Sequence, residues 1–234
     1  MARLPGPTSR HWSCVTALLL VRHATTASTG KRLGGWTSAP LDEAGRAQAE
    51  AAAQRLAEVP LAAVYASPLP RTRETAEILA AWHRLAVRDC HGMIEVDYGR
   101  WTDRPLGQVA RTKKWSVIQN RPSRVTFPDG EAIRTAQARA VDALEGLVAS
   151  HTRDTIVVVS HADIIKLAVA HFIGQPLDLF QRLEVTPTSV TWLQLDRDGA
   201  PALLRLGDDG PLARERFRPP SPSRSTSRQR KPNG

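Results

Sequence analysis

The sequence predicts an α/β protein, a three-layer sandwich with a mostly parallel sheet and helices on both faces. Three observations predict it. Short continuous apolar runs at residues 16–21, 62–66 and 155–160 have the texture of strands buried on both faces. The segments between them carry apolar residues at helical spacing. The two kinds alternate along the chain, which is the order of βα units.

Each element has its own justification. Residues 16–21, Thr-Ala-Leu-Leu-Leu-Val, form the first strand, and the polar, glycine-bearing stretch 25–40 is a loop. Asp42 is a helix N-cap, and Gln48, Ala49, Ala52, Ala53 and Leu56 follow at helical spacing up to a stop near Pro60. Residues 62–66 form a second strand, and Ser67-Pro68 is expected to open a helix through Thr75, Ile78, Leu79 and Trp82. Residues 90–128 mix Gly, Pro and Trp without clear period and are expected to be an inserted loop-and-helix segment. Asp129-Gly130-Glu131 is expected to begin a helix carrying Ile133, Ala136, Ala140, Leu144 and Leu147 on one side. The run 155–160 is the strongest strand signal, with five β-branched residues in six. A helix over 162–172 follows. Strands at 189–195 and 202–206, joined by a turn at 196–199, close the sheet.

Composition narrows the class. A chain of 234 residues fits one domain with tails: a leader at 1–14, a domain at 15–210 and a basic tail at 211–234. Its two cysteines, Cys14 and Cys90, cannot build a disulfide framework and point to a reducing, cytoplasmic setting. No apolar run reaches the roughly 18 residues of a membrane span, so no membrane partner is expected. The net charge of +9 is concentrated at one end. Seven basic residues against Glu215 give +6 over 211–234 and leave +3 for 1–210. That tail is too poor in apolar residues to fold alone, and no nucleic-acid role is expected of the folded domain.

Chemistry concentrates where strands end, because open α/β sheets form their sites there. Three strand ends carry unusual residues: Arg22-His23, the Ser67 to Arg71 stretch, and Ser160-His161. Two guanidinium forks beside two imidazoles make an anion site that matches phosphate oxygens in pairs. An imidazole there can attack phosphorus and divide one hard displacement into two easier ones. The arginines supply the charge neutralisation that a metal gives elsewhere, so neither metal nor cofactor is expected. A lone histidine is usually structural, and His11, His83, His91, His151 and His171 are placed in that class. Thr29-Gly30-Lys31 lacks the flanking residues of a phosphate-cradling P-loop.

The ordered motifs carry a resemblance. They are Arg22-His23 with Thr26, Gly35-Trp36, the stretch 40–49, Ser67-Pro68-Leu69-x-Arg71-Thr72, Glu95-Val-Asp-Tyr98-Gly99-x-Trp101, the stretch 127–131, and Ser160-His161. In this order, over residues 16–206, the chain resembles the histidine phosphatase superfamily, the phosphoglycerate-mutase-like group. The strings at 95–101 and 161–166 are similar to an actinobacterial phosphatase-like branch.

The resemblance implies roles. His23 would be the phosphorylated nucleophile, with Arg22, Arg71 and His161 holding phosphoryl oxygens. Glu95 would be the proton donor, and its apolar neighbours Met93, Ile94 and Val96 favour a protonated carboxyl. The residues alone do not single out Glu95 from Asp97, Asp103 or Glu131. Thr29 stands where relatives place a phosphate-touching asparagine, and its hydroxyl can serve as donor. Ala24 and Ala162 stand where the family keeps glycine. Their methyl groups crowd a phosphate-facing backbone but keep the N–H, so a tuned site is expected. Asp103 replaces a common glycine and is expected to alter the pocket rim.

The function implied is metal-independent hydrolysis of a small phosphorylated metabolite through phosphohistidine. The alternatives are a phosphomutase and a weakened phosphate-ligand binding or regulatory protein. Gly92, Gly99 and Gly107 suggest a loose cover and so favour loss of the phosphoryl group to water. Oligomeric state stays open, a homodimer being one reading.

Overall fold

The computed structural model describes residues 15–196 and 200–211. The leader at 1–14, the turn residues 197–199 and tail residues 212–234 lie outside the described residues. Six strands form one sheet in the order β3-β2-β4-β1-β5-β6. They are β1 (Val15–Arg22), β2 (Ala63–Ala66), β3 (Val87–Asp89), β4 (Thr155–Ser160), β5 (Val190–Asp196) and β6 (Ala202–Asp208). The pairs β1·β4, β2·β4 and β2·β3 are parallel, while β5 and β6 are antiparallel additions at one edge.

The continuous apolar runs arise because the central strands are covered on both faces. Leu18, Leu20, Tyr65, Ile156 and Val158 point into a core with α5 (Ile133–Ser150) and α6 (Ala162–Phe172). Leu19, Val21, Val64, Val157 and Val159 point the other way, into a core with α1 (Glu43–Leu56) and α2 (Pro70–His83). Alternation of side chains along each strand thus divides one run between two cores. The fold is the three-layer α/β sandwich that the sequence predicts.

Two helix starts differ from expectation. The second helix opens at Pro70, since proline is tolerated at the first helical position, where its missing N–H has no intrahelical partner. The third long helix opens at Ile133 because Gly130 and Glu131 are bound into a turn, through Phe127 O and Asp97 O respectively. On that helix Val148, with Leu144, supplies the buried side, and Leu147 is only partly buried. The three-residue β3 has no sequence signal of its own and forms by pairing with β2. In the inserted segment, two short helices, α3 (Leu106–Val109) and α4 (Lys113–Asn120), lie between the ends of α2 and α5.

Strand register delivers the site. Arg22 pairs with Ser160 and Ala66 with Val159, so three strands end level. The His23 N–H then bonds Ser160 O at 2.9 Å, and the Ser67 N–H bonds Val159 O at 3.0 Å.

Candidate active site

Arg22, His23, Thr29, Arg71, Glu95 and Ala162 all line one cavity of about 250 Å³ at this level edge. His161 lies directly behind its wall, fully buried, with its ring centroid 5.2 Å from that of His23. The sequence-predicted residues are therefore brought together.

His23 has a defined tautomer. Its Nδ1 lies 2.7 Å from the Ala24 carbonyl, which only accepts, so Nδ1 carries the proton. Its Nε2 must then be the acceptor for Arg71 Nε at 3.3 Å. Burial first, and then the Arg71 charge, hold the imidazole down to about 3. The ring is neutral over the physiological range, with a lone pair on Nε2.

His161 obeys the same logic. Arg71 Nη2 donates to its Nδ1 at 3.2 Å, which leaves Nε2–H to donate to Ser67 Oγ at 2.8 Å. Burial, with the Arg71 charge second, holds this ring well below the usual histidine range. Arg71 is pinned as well. Nη1 donates to Thr37 O at 3.0 Å and Nη2 to Gly35 O at 2.7 Å. Arg22 sends Nη1 to Val185 O at 2.7 Å, while its buried Nε has no hydrogen-bond partner among the described residues. A buried donor without a partner beside a cavity marks a place for an anionic oxygen.

Glu95 is 9% exposed. Its Oε1 accepts from the Val96 N–H at 2.9 Å, and its Oε2 lies 3.8 Å from His161 Nδ1, a nitrogen without a proton. Burial, with the Asp163 charge adding to it and Arg71 opposing, pushes the carboxyl up to about 7. The segment is stapled in place from its main chain. Arg139 donates to Gly92 O, Ile94 O and Glu95 O, and Trp36 Nε1 donates to Glu95 O at 2.7 Å.

Several sequence expectations change here. The Ala24 methyl does not crowd the cavity; it is buried against Leu41 and Ala49, and its N–H is engaged by Thr75 Oγ1. Ala162 does form cavity wall. Thr29 Oγ1 accepts from the Thr26 N–H at 2.8 Å and shares a second hydrogen bond with Thr26 Oγ1 at 3.1 Å. The cover is not loosened at Gly92 or Gly99. A Cβ at Gly92 would fall 2.5 Å from Ala143 Cβ, and one at Gly99 2.1 Å from Pro128 O. Both are close-packing positions; of the three, Gly107 alone faces open space. Asp103 sits at φ +61°, where glycine is easier, and binds Arg32 through both carboxylate oxygens at the rim.

Sequence reasoning missed Arg139, Arg32 and the part played by Asp163 and Tyr98. The contacts of Arg139 with Glu95 O, Arg32 with Asp103 and Tyr98 with Asp163 join residues remote in sequence, and no spacing signals them. Among the described residues no group of three or more His, Cys, Asp or Glu is placed to hold a metal, and no helix is long and apolar enough to cross a membrane.

Comparison with known proteins places the chain in a family. Phosphoserine phosphatase 1 of Hydrogenobacter thermophilus is 31% identical over 169 residues, covering 70% of this chain and 79% of that protein. A probable phosphoglycerate mutase, GpmB of Erwinia tasmaniensis, is 27% identical over 187 residues, 79% of this chain and 86% of that protein. The solved structure of Bacillus stearothermophilus YhfR matches with a TM-score of 0.78 at 29% identity, over 83% of this chain and 98% of that one. The model of the histidine phosphatase superfamily (branch 1) matches residues 18–209, and the chain belongs to that family.

Proposed function

We propose that the protein hydrolyses phosphomonoesters of small metabolites in two displacements, through a phosphohistidine on His23. The observation that carries this reading is the His23 tautomer: a buried, neutral imidazole whose Nε2 lone pair lies among arginines at the cavity. In the first step Nε2 attacks phosphorus, the P–N bond forms and the ester P–O bond breaks. The departing oxygen takes the proton of the Glu95 carboxyl. In the second, the Glu95 carboxylate takes a proton from water as its oxygen attacks phosphorus. The P–N bond breaks, inorganic phosphate leaves, and both groups return to their starting state.

The charge developing on the phosphoryl oxygens is met by Arg71, by the free Nε of Arg22 and by the Thr29 hydroxyl, with His161 behind them. A carboxyl that titrates at about 7 suits a group that must give a proton and then accept one. A phosphatase 31% identical to this chain supports hydrolysis as the outcome. A cytoplasmic location is part of the proposal, and the buried free thiol of Cys90 is consistent with a reducing setting.

The test is a panel of phosphorylated metabolites assayed for phosphate release, with and without 2,3-bisphosphoglycerate. Hydrolysis predicts inorganic phosphate as the main product in both conditions. Isomerisation of a phosphorylated acid faster than phosphate release would establish a mutase instead.

A further inference from the structure

The cavity holds two carboxyl groups, and their surroundings differ. Asp163, in the first turn of α6, lines the cavity beside Glu95. Its Oδ2 accepts from the Tyr98 hydroxyl at 2.9 Å, and its Oδ1 lies 3.1 Å from Lys166 Nζ. Lys166 is itself buried, bonded to Gln181 Oε1 at 2.6 Å, and stacked over the Phe180 ring at 5.3 Å. A buried ammonium needs an anion beside it, and Asp163 is that anion. Both oxygens of Asp163 thus meet donors.

Glu95 has the opposite setting. One oxygen has a single backbone N–H, and the other faces a bare imidazole nitrogen. The groups around it are Arg71 from α2, Arg22 from the end of β1, His161 at the N-cap of α6, Asp163 in its first turn, and Tyr98 from its own segment. Arg139 from α5 reaches only its carbonyl. Two carboxyl groups in one cavity resist ionising together, and the one with poorer anion contacts keeps the proton.

We propose that Asp163 is a positioning residue for the catalytic proton: as the ionised member of this pair, held by Tyr98 and Lys166, it keeps Glu95 in its acid form. The inference rests on the reading of Glu95 as the proton donor. Tyr98 makes the link mechanical as well as electrostatic, since it ties the Glu95 segment to α6.

The test is the pH profile of kcat on an alkyl phosphate, whose leaving oxygen needs a proton. The wild type loses rate as pH rises through the Glu95 titration. Asp163→Asn is close in shape and keeps an acceptor for Tyr98, but removes the charge. Its high-pH limb should move down by about one unit, a rate loss of about tenfold above the limb. Asp163→Glu keeps the charge, so its limb should stay near that of the wild type. A limb that moves when the charge is lost and stays when it is kept is not produced by general loss of structure. An unmoved limb in Asp163→Asn, or the same downward shift in both variants, would overturn the proposal. Glu95→Gln separates the two readings. If that variant keeps the wild-type rate and limb on the alkyl phosphate, the assignment of Glu95 fails. If it loses them while Asp163→Asn leaves the limb in place, only the role of Asp163 fails.

Discussion

Arg71 Nε donates to His23 Nε2 across 3.3 Å, so the lone pair proposed to attack phosphorus is held by a cation. The same guanidinium reaches His161 Nδ1 and the carbonyls of Gly35 and Thr37. One side chain therefore fixes both rings and, after burial, does most to keep both neutral. An incoming phosphoryl group would take over the Nε donor, freeing Nε2 as it arrives.

Arg71→Lys tests this arrangement. Lysine keeps the charge but has no planar fork, and it cannot meet two rings and two carbonyls at once. We expect kcat on p-nitrophenyl phosphate to fall by about 100-fold or more, the scale of losing one transition-state donor. Activity within a few-fold of wild type in steady-state assays would show that charge alone suffices.

His23→Ala should abolish turnover with the fold retained, as read by circular dichroism and melting temperature. Brief reaction of the wild type with a radiolabelled phosphodonor should leave an adduct on His23 that is labile to acid and stable to alkali. Label on a serine would move the chemistry elsewhere.

Stability should carry a signature of the same residue. The His23 imidazole titrates at about 3 in the folded chain against 6.5 when unperturbed. Its folded value is depressed, so its contribution is complete above 6.5 and is lost as pH falls towards 3. Glu95 runs the other way, raised from 4.5 to about 7, so its contribution is complete below 4.5 and lost as pH rises through 7. Melting temperatures across pH 3 to 8 should show His23→Ala losing less stability than wild type on the acid side. Glu95→Gln should lose less than wild type between the two Glu95 values.

The layers of the fold and the Arg22, His23, Arg71 and His161 cluster were legible because each rests on local pattern. Buried strands announce themselves as apolar runs, and parallel register then forces the residues after Val21, Ala66 and Val159 to one edge. Glu95 was legible only through family resemblance. Its environment is made by Arg139, Trp36 and Asp163, which come from three other parts of the chain. Asp163 and Lys166 look like an ordinary helix-surface pair at i and i+3. Only the depth of α6 in the structure reveals them as a buried pair beside the site.

Activity should survive prolonged EDTA treatment, because the proposed chemistry neutralises phosphoryl charge with Arg22 and Arg71. Complete loss with EDTA, restored by Mg²⁺ or Zn²⁺, would require a different mechanism.

Gly99 and Gly107 form a matched pair for testing how firmly the Glu95 segment is held. Gly99 has φ +52°, and an added Cβ would meet Pro128 O at 2.1 Å and Gly130 N at 2.6 Å. Gly130 faces it in the same contact, with its own Cβ position 2.3 Å from Asp97 O. The segment carrying Glu95 and the turn before α5 thus touch backbone to backbone, which Gly99→Ala would pry apart. Left-handed conformation alone costs roughly 1–2 kcal/mol for a residue with a Cβ, and the clash with backbone atoms adds to it. Gly107, inside α3, has nothing within 4 Å of its Cβ position among the described residues. Gly107→Ala should therefore be neutral or stabilise by up to about 1 kcal/mol. Urea unfolding at fixed pH measures both. Activity assayed well below the Gly99→Ala unfolding midpoint should still fall, because the displaced segment carries the proposed proton donor. Equal stability for the two variants would mean that the Glu95 segment is free to yield, and that its glycines do loosen the cover.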